Sequence, residues 1–373
     1  MASQKQIVEK ARELGFADIG FTTAEPFEHQ REVLRQREEG YAWTRERGMD
    51  LVGGIDPGQA LEGARSIIVL LELYYHQAYP RELEPFFGRF YLDDDRITKD
   101  TLARRMKAFR SFLEDSGMRV KFPPYLPQRL AAARAGLGDF GKNCLLYAKR
   151  AARGGSWVLP LPLVVDAELT PDEPCEEVGC PEWCKNVCLT ACPTGALKGP
   201  RHLDPRRCIS YLTYFGEGLT PLELREPMGL YVYGCDRCQD VCPRNAPWLA
   251  ADLALNQRAA AKREDFDLAK LLAMDAAYFK ERIWPYMFYM PEKDLWRWHM
   301  NVARVMGNTR DEAHVPELAR ALGENPDERP RAMSAWALGR IGGAAARRAL
   351  EARRGQGGDM VSGEVEQALM MLS

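Results

Sequence analysis

The residues of this 373-residue chain best equipped for chemistry are its ten cysteines, and their spacing says which chemistry. Nine of them lie between Cys175 and Cys242, and the two runs they form end in Cys192-Pro193 and Cys242-Pro243. A thiolate-held iron–sulfur cube needs four sulfurs around one centre; a tight loop supplies three and the fourth arrives from elsewhere. Cys235-x2-Cys238-x3-Cys242-Pro fits the latter part of the bacterial ferredoxin run, and Cys180-x3-Cys184-x3-Cys188-x3-Cys192-Pro has the same ending with each x2 gap stretched to x3. In two-cluster ferredoxins the cysteine before proline ligates the other cluster. Two [4Fe-4S] clusters are therefore expected, one held by Cys180, Cys184, Cys188 and Cys242, the other by Cys192, Cys208, Cys235 and Cys238. Cys208 enters because the second loop has no upstream cysteine of its own. Cys175 is an alternative to Cys180, and Cys144, outside the module, reads as a buried free thiol. A structural zinc site built from Cys180-x3-Cys184 and Cys235-x2-Cys238 is the competing reading, but it leaves both Cys-Pro endings unexplained.

The composition fits a reducing compartment and excludes several classes. Ten cysteines in a chain of this size do not read as a disulfide framework when the N-terminus runs straight into a polar amphipathic helix with no apolar leader, and a cytoplasmic location is expected. No apolar run approaches the roughly 20 residues of a spanning helix, so no membrane association is expected. With 51 basic and 53 acidic residues the net charge is −2, and any RNA contact must be local. The Arg-rich, Lys-free tail from Arg297 onward offers such contacts, although acidic residues are interspersed and a solvated helical face explains it as well.

Elements that position the cysteines follow from periodicity. Residues 1–166 read as an α/β domain: a helix at 7–14, a short strand at 17–21, and a continuous apolar run at 64–71 that marks a buried strand. A charged helix at 99–116 carries Leu102, Met106, Phe109 and Phe112 on one face, and the prolines of 121–127 keep that segment out of helix. A glycine-rich turn, Gly136-Leu-Gly-Asp-Phe-Gly-Lys-Asn143, follows a short helix, and an apolar strand at 156–165 closes the domain. The ferredoxin-like insert spans 167–247 and a helical domain 248–373. Within the latter, an alanine-rich helix is expected at 250–261, and residues 302–308 align with 334–340 at an offset of 32, the mark of HEAT-like helix pairs. The whole is a multidomain α+β chain.

The order and spacing of several blocks resemble epoxyqueuosine reductases, cobalamin-dependent iron–sulfur enzymes that complete queuosine in the tRNA wobble position. The blocks are Gly48-Met-Asp50, Ala64-Arg-Ser-Ile-Ile-Val69, Arg134-Ala-Gly-Leu-Gly-Asp-Phe-Gly-Lys-Asn143, Gly155-Ser-Trp157, Ala191-Cys-Pro-Thr-Gly-Ala196, Arg207-Cys-Ile-Ser-Tyr-Leu-Thr213 and Tyr233-Gly-Cys-Asp-Arg-Cys-Gln-Asp-Val-Cys-Pro-Arg-Asn245. The resemblance implies a cobalamin beside the clusters, lined by Gly136, Leu137, Gly138, Gly141, Lys142 and Asn143. It also implies an external electron donor of ferredoxin or flavodoxin type, tRNA as a partner, and a monomer.

The chain departs from that family at its acid. The family's catalytic aspartate falls on Phe122, the Gly-Arg-Asp-Tyr-His block has become Tyr91-Leu-Asp-Asp-Asp-Arg-Ile-Thr98, and the tryptophan after Gly-Leu-Gly is Asp139. These changes point to a paralogue acting on a related substrate, with Asp139 as the replacement acid and Tyr125 as a second candidate. The other reading is an electron-transfer or corrinoid-reactivating iron–sulfur protein without turnover of its own.

Overall fold

A computed structural model describes residues 2–175 and 177–372, and the chain divides into two compact units, each gathered from separated stretches. The first comprises Met1–His76, Lys99–Pro205 and Arg237–Leu253; the second comprises Gln77–Thr98, Arg206–Asp236 and Ala254–Ser373.

At the centre of the first unit is a four-stranded sheet. Its strands β1 (Asp18–Thr23), β2 (Ser66–Leu73), β3 (Val120–Lys121) and β6 (Val158–Val165) are ordered β1-β2-β6-β3, and every pairing is antiparallel. The continuous apolar run of β2 arises because both faces of the sheet are covered. Ile67, Val69 and Leu71 face Ala131, Ala132 and Ala133 of the Gln128–Arg134 helix, whereas Ile68 and Leu70 face Ile7, Phe109 and Leu113 of two helices on the other side. Those two helices are Gln4–Glu13, started by a reciprocal Ser3–Gln6 capping box, and Thr101–Asp115. A separate hairpin, β4 (Gly138–Phe140) with β5 (Leu146–Ala148), is built from the glycine-rich turn.

The second unit is helical. Its Leu295–Thr309, Val315–Glu324, Glu328–Ile341, Gly343–Glu351 and Asp359–Met371 helices stack as successive pairs, and the offset of 32 seen in the sequence relates the first of these to the third. Glycines permit the close crossings: Gly307 lies against Ala337, and Gly339 against Ala368. Trp298 is fully buried and stacks on Tyr233 with ring centroids 5.2 Å apart, and Asn301 Nδ2 donates to the Thr213 and Val232 carbonyls at 2.7 and 3.0 Å. The helix expected over 250–261 is only Gln257–Ala260, capped by Asn256. The backbone before it is committed elsewhere: Ala78 N–H donates to the Ala254 carbonyl, and Asn256 N–H to the Ala78 carbonyl. Among the described residues no helix is long and apolar enough to cross a membrane.

Candidate metal centre

Between β6 and the Val187–Ala191 helix the described chain forms no helix and no strand longer than one bridge, so its position depends on ties to its neighbours. The ties are specific. Cys175 N–H donates to the Ala133 carbonyl at 2.8 Å, and Val178 bridges Phe140 of β4 through the bonds Phe140 N–H to Glu177 O and Gly179 N–H to Phe140 O, both 3.0 Å. A turn closed by Cys184 N–H to the Pro181 carbonyl leads to Asn186, whose φ of 59° is left-handed, and the helix carrying Cys188 begins there. The Arg237–Asp240 helix packs against it and brings in Cys238 and, one turn later, Cys242.

Four thiols of the first unit converge. Cys184, Cys188 and Cys242 are buried and Cys180 is half-buried. Burial first, then the neighbouring Cys180, Cys242 and Cys184 thiols, push the Cys188 thiol up to about 11. These four are the members of the first expected set; Cys175 is not among the groups acting on Cys188. Among the described residues no three His, Cys, Asp or Glu side chains gather tightly enough for a single ion. A cube bound through its four irons spreads its ligand sulfurs over a wider shell, so a soft, all-thiol donor set from two loops suits a cluster better than one zinc ion.

The glycine-rich turn and its hairpin supply hydrogen bonds to this sulfur group. Lys142 N–H donates to Cys180 Sγ at 3.3 Å, and the Tyr147 hydroxyl donates to Cys242 Sγ at 3.0 Å. Asn143 Nδ2 donates to the Tyr147 oxygen at 3.0 Å and to the Cys238 carbonyl at 3.3 Å. Burial, followed by the adjacent Cys242 thiol, pushes the Tyr147 phenol up, which keeps it a donor. Arg244 braces the same region. Its guanidinium lies 4.4 Å from the Tyr147 ring centroid and donates to the Gly179 and Gly154 carbonyls at 3.2 Å. Neither Tyr147 nor Arg244 was expected from the sequence; Arg244 had a signal in its place directly after Cys242-Pro243, Tyr147 had none.

The remaining expected residues have defined places. Asp139, on β4 opposite Tyr147, gives both carboxylate oxygens to Arg244, at 2.5 and 3.3 Å. Tyr125 is more than a third exposed and donates to the Gly48 carbonyl at 3.2 Å, and Phe122 is exposed as well. Cys144 is half-buried, short of the full burial expected, and burial raises its thiol. Cys192 Sγ lies 3.8 Å from Thr194 Oγ1, Cys208 precedes the Ile209–Tyr214 helix, and Cys235 packs against the Ile209, Leu212, Leu224 and Met228 cluster.

The openings at the turn's glycines are filled by protein. A Cβ on Gly136 would meet the Glu173 carbonyl at a φ of +65°, one on Gly138 would overlap the Tyr147 carbonyl, and one on Gly141 would overlap the Tyr147 ring. These glycines draw the hairpin onto itself and onto the 172–175 segment, so they do not form a cradle awaiting a macrocycle.

Comparison with known proteins agrees with the thiol geometry. Residues 180–245 match the 4Fe-4S double cluster binding domain family, and residues 297–370 match HEAT repeats. The chain is 30% identical to an epoxyqueuosine reductase of Bacillus subtilis over 91% of this chain and 88% of that protein. It is 31% identical to the Pseudomonas aeruginosa enzyme of the same name, over 91% and 94%. A Bacillus subtilis epoxyqueuosine reductase structure, solved with its catalytic aspartate loop swung out of the active site, superposes with a TM-score of 0.81 at 28% identity and covers 99% of each chain. A second, solved with an epoxyqueuosine-modified tRNA-Tyr stem loop, gives 0.80 at 28% identity over 99% and 98%.

Proposed function

The chain belongs to the epoxyqueuosine reductase family, and from that premise we propose that it is a cobalamin-dependent iron–sulfur reductase acting on a modified tRNA nucleoside or a related substrate. The convergence of Cys180, Cys184, Cys188 and Cys242 carries the iron–sulfur part of the reading. Cys192, Cys208, Cys235 and Cys238 are assigned to the second cluster on spacing alone. Electrons come from an external carrier of ferredoxin or flavodoxin type, the chain works as a monomer, and its place is the cytoplasm.

Cobalamin rests on the family likeness. The glycines of the 136–143 turn are taken up by protein contacts. What it would supply when bound is a strongly reducing metal centre. The chain's own residues have narrower tasks. Lys142 N–H and Tyr147 O–H point donors at cluster sulfurs, Arg244 fixes the hairpin against the Cys180 loop, and Asp139 and Tyr125 are the candidate acids.

For Asp139 to deliver a proton, its pair with Arg244 must open. Replacing it by Asn should cut single-turnover product formation by about 100-fold, the common contribution of a general acid, without loss of iron. Unchanged turnover would end its candidacy. The second reading, an electron-transfer or corrinoid-reactivating protein, is favoured by the expected fall of the family's aspartate on Phe122 and by the engagement of Asp139 with Arg244. Anaerobic purification followed by iron, sulfide and cobalt analysis, with tRNA from a deletion strain checked for queuosine, separates the two. Iron with cobalt and altered tRNA supports the reductase; iron with unchanged tRNA supports the second reading.

A further inference from the structure

The largest aromatic side chain on the described surface stands directly before a cluster ligand. Trp183 is 66% exposed and precedes Cys184, a buried thiol of the converging set. Val241, 38% exposed, holds the same place before Cys242. An indole left in water is costly unless something covers it, and tryptophan is a favoured anchor of protein interfaces. Neither side chain contributes a donor to the sulfurs, so the metal site itself does not explain them.

The loops around the Cys180–Cys188 segment also carry cations whose contacts can be followed one by one. Lys185 is exposed one residue past Cys184. Lys142 Nζ reaches Asn186 Oδ1 at 2.8 Å, which sets its ammonium next to that loop. The Arg201 guanidinium lies 5.8 Å from the ring of Phe140, on the strand that bridges Val178, and Arg37 donates to the Arg201 carbonyl at 2.9 Å. None of these four cations makes an ion pair among the described residues, although the chain forms many elsewhere. Glu182 is the one acidic side chain between Cys180 and Cys188.

We propose that the exposed surface carrying Trp183, Val241, Lys185, Lys142, Arg201 and Arg37 is the docking surface for a small acidic ferredoxin that loads the cluster of Cys180, Cys184, Cys188 and Cys242. The inference rests on the iron–sulfur reading above and names the point where electrons enter. Three of the four thiols are buried, so a carrier must press against the protein to bring its own centre near. An apolar anchor over the ligands provides that approach, and a cationic flank orients an acidic partner and speeds encounter. In the step, one electron leaves the carrier's reduced [2Fe-2S] centre and enters the oxidised [4Fe-4S] cluster; no bond forms or breaks and no proton moves.

The test is stopped-flow reduction of the anaerobic holoprotein by a reduced plant-type [2Fe-2S] ferredoxin, set against reduction by dithionite, which needs no docking. Trp183→Ala and Lys185→Glu should each slow the ferredoxin reaction by about tenfold, and added salt should slow the unaltered protein while narrowing its difference from Lys185→Glu. Dithionite rates and the reduced-cluster EPR spectrum should stay as they were, and Trp183→Phe should recover most of the rate. Equal ferredoxin rates in all variants overturn the proposal, as does equal slowing with both reductants, which would mark a damaged cluster. Weakened binding of a tRNA stem loop with an unchanged ferredoxin reaction would assign the surface to RNA and overturn it too. If the unaltered protein shows no absorbance that dithionite bleaches, the iron–sulfur reading fails first and this inference falls with it.

Discussion

Tyr147 accepts a hydrogen bond from Asn143 and passes one on to Cys242 Sγ, so a single buried hydroxyl ties the hairpin to a cluster ligand. A hydrogen bond to a ligand sulfur favours the more negative, reduced cluster, so its loss should make reduction harder. Tyr147→Phe removes only the hydroxyl, and the midpoint potential of that cluster should fall by an amount on the order of tens of mV, read by EPR-monitored redox titration. An unchanged potential would mean that the hydroxyl does not face the cluster sulfur in solution. The cysteine ligands were legible because their chemistry imposes short, repeated spacings. Tyr147 was not, because a phenol six residues after a glycine leaves no pattern until the hairpin register places it beside Cys242. Asp139 shows the opposite case: its position in the turn was evident, but its partner Arg244 lies 105 residues away and only folding joins them.

Among the elements, the paired helices of the second unit are held by polar groups that the apolar pattern does not reveal. Arg225 and Glu364 form a buried two-pronged ion pair at 2.8 and 2.6 Å, joining the Leu222–Arg225 turn of helix to Asp359–Met371. Removing one partner strands the other charge, and Glu364→Ala should cost about 3 kcal/mol in chemical denaturation. His299, inside Leu295–Thr309, lies 2.9 Å from the Met274 carbonyl through Nε2 and 2.9 Å from the Asn325 amide nitrogen through Nδ1. Burial lowers its affinity for a proton below the usual imidazole range. The unfolded chain therefore binds the extra proton first, near pH 6.5, and the folded chain only at lower pH. Stability should be flat above about pH 6.5 and decline as the pH falls through the lowered folded value; in His299→Gln that decline should shrink, as measured by Tm between pH 7.5 and about 5. The helix repeat was legible from its offset, and the strand positions from their apolar runs. Antiparallel order was not, since a strand covered on both faces carries the same unbroken pattern whichever way its neighbours run. The alanine-rich stretch before Gln257 misled for a similar reason: alanine propensity is weak beside the backbone bonds that Ala254 and Asn256 make with Ala78.

On the scale of the whole molecule, the chain alternates between two units, gathered from stretches that run across the linear boundaries expected at 166 and 247. In the first unit the described residues from Asp166 to Asn186 have almost no regular structure and are held by a few backbone bonds and hairpin contacts. Metal binding of that kind is folding free energy for the loop that carries the ligands. Chelation of iron under oxidising conditions should therefore expose this segment to limited proteolysis, while the helices from Leu295 to Met371 resist cleavage as before. Mass spectrometry of the first fragments decides the matter, and early cuts spread over the helical repeats would contradict it.

The hydrogen bonds that run from the glycine-rich turn to Cys180 and Cys242 make that turn a gauge of cluster charge. An added electron strengthens the pull of both sulfurs on Lys142 N–H and Tyr147 O–H, which stiffens the hairpin. A partner that presses on the outer face of this hairpin would then bind the oxidised and reduced protein with unequal strength, and by reciprocity its arrival would shift the potential by about 59 mV for each tenfold preference. Such docking could thus be followed with an electrode alone.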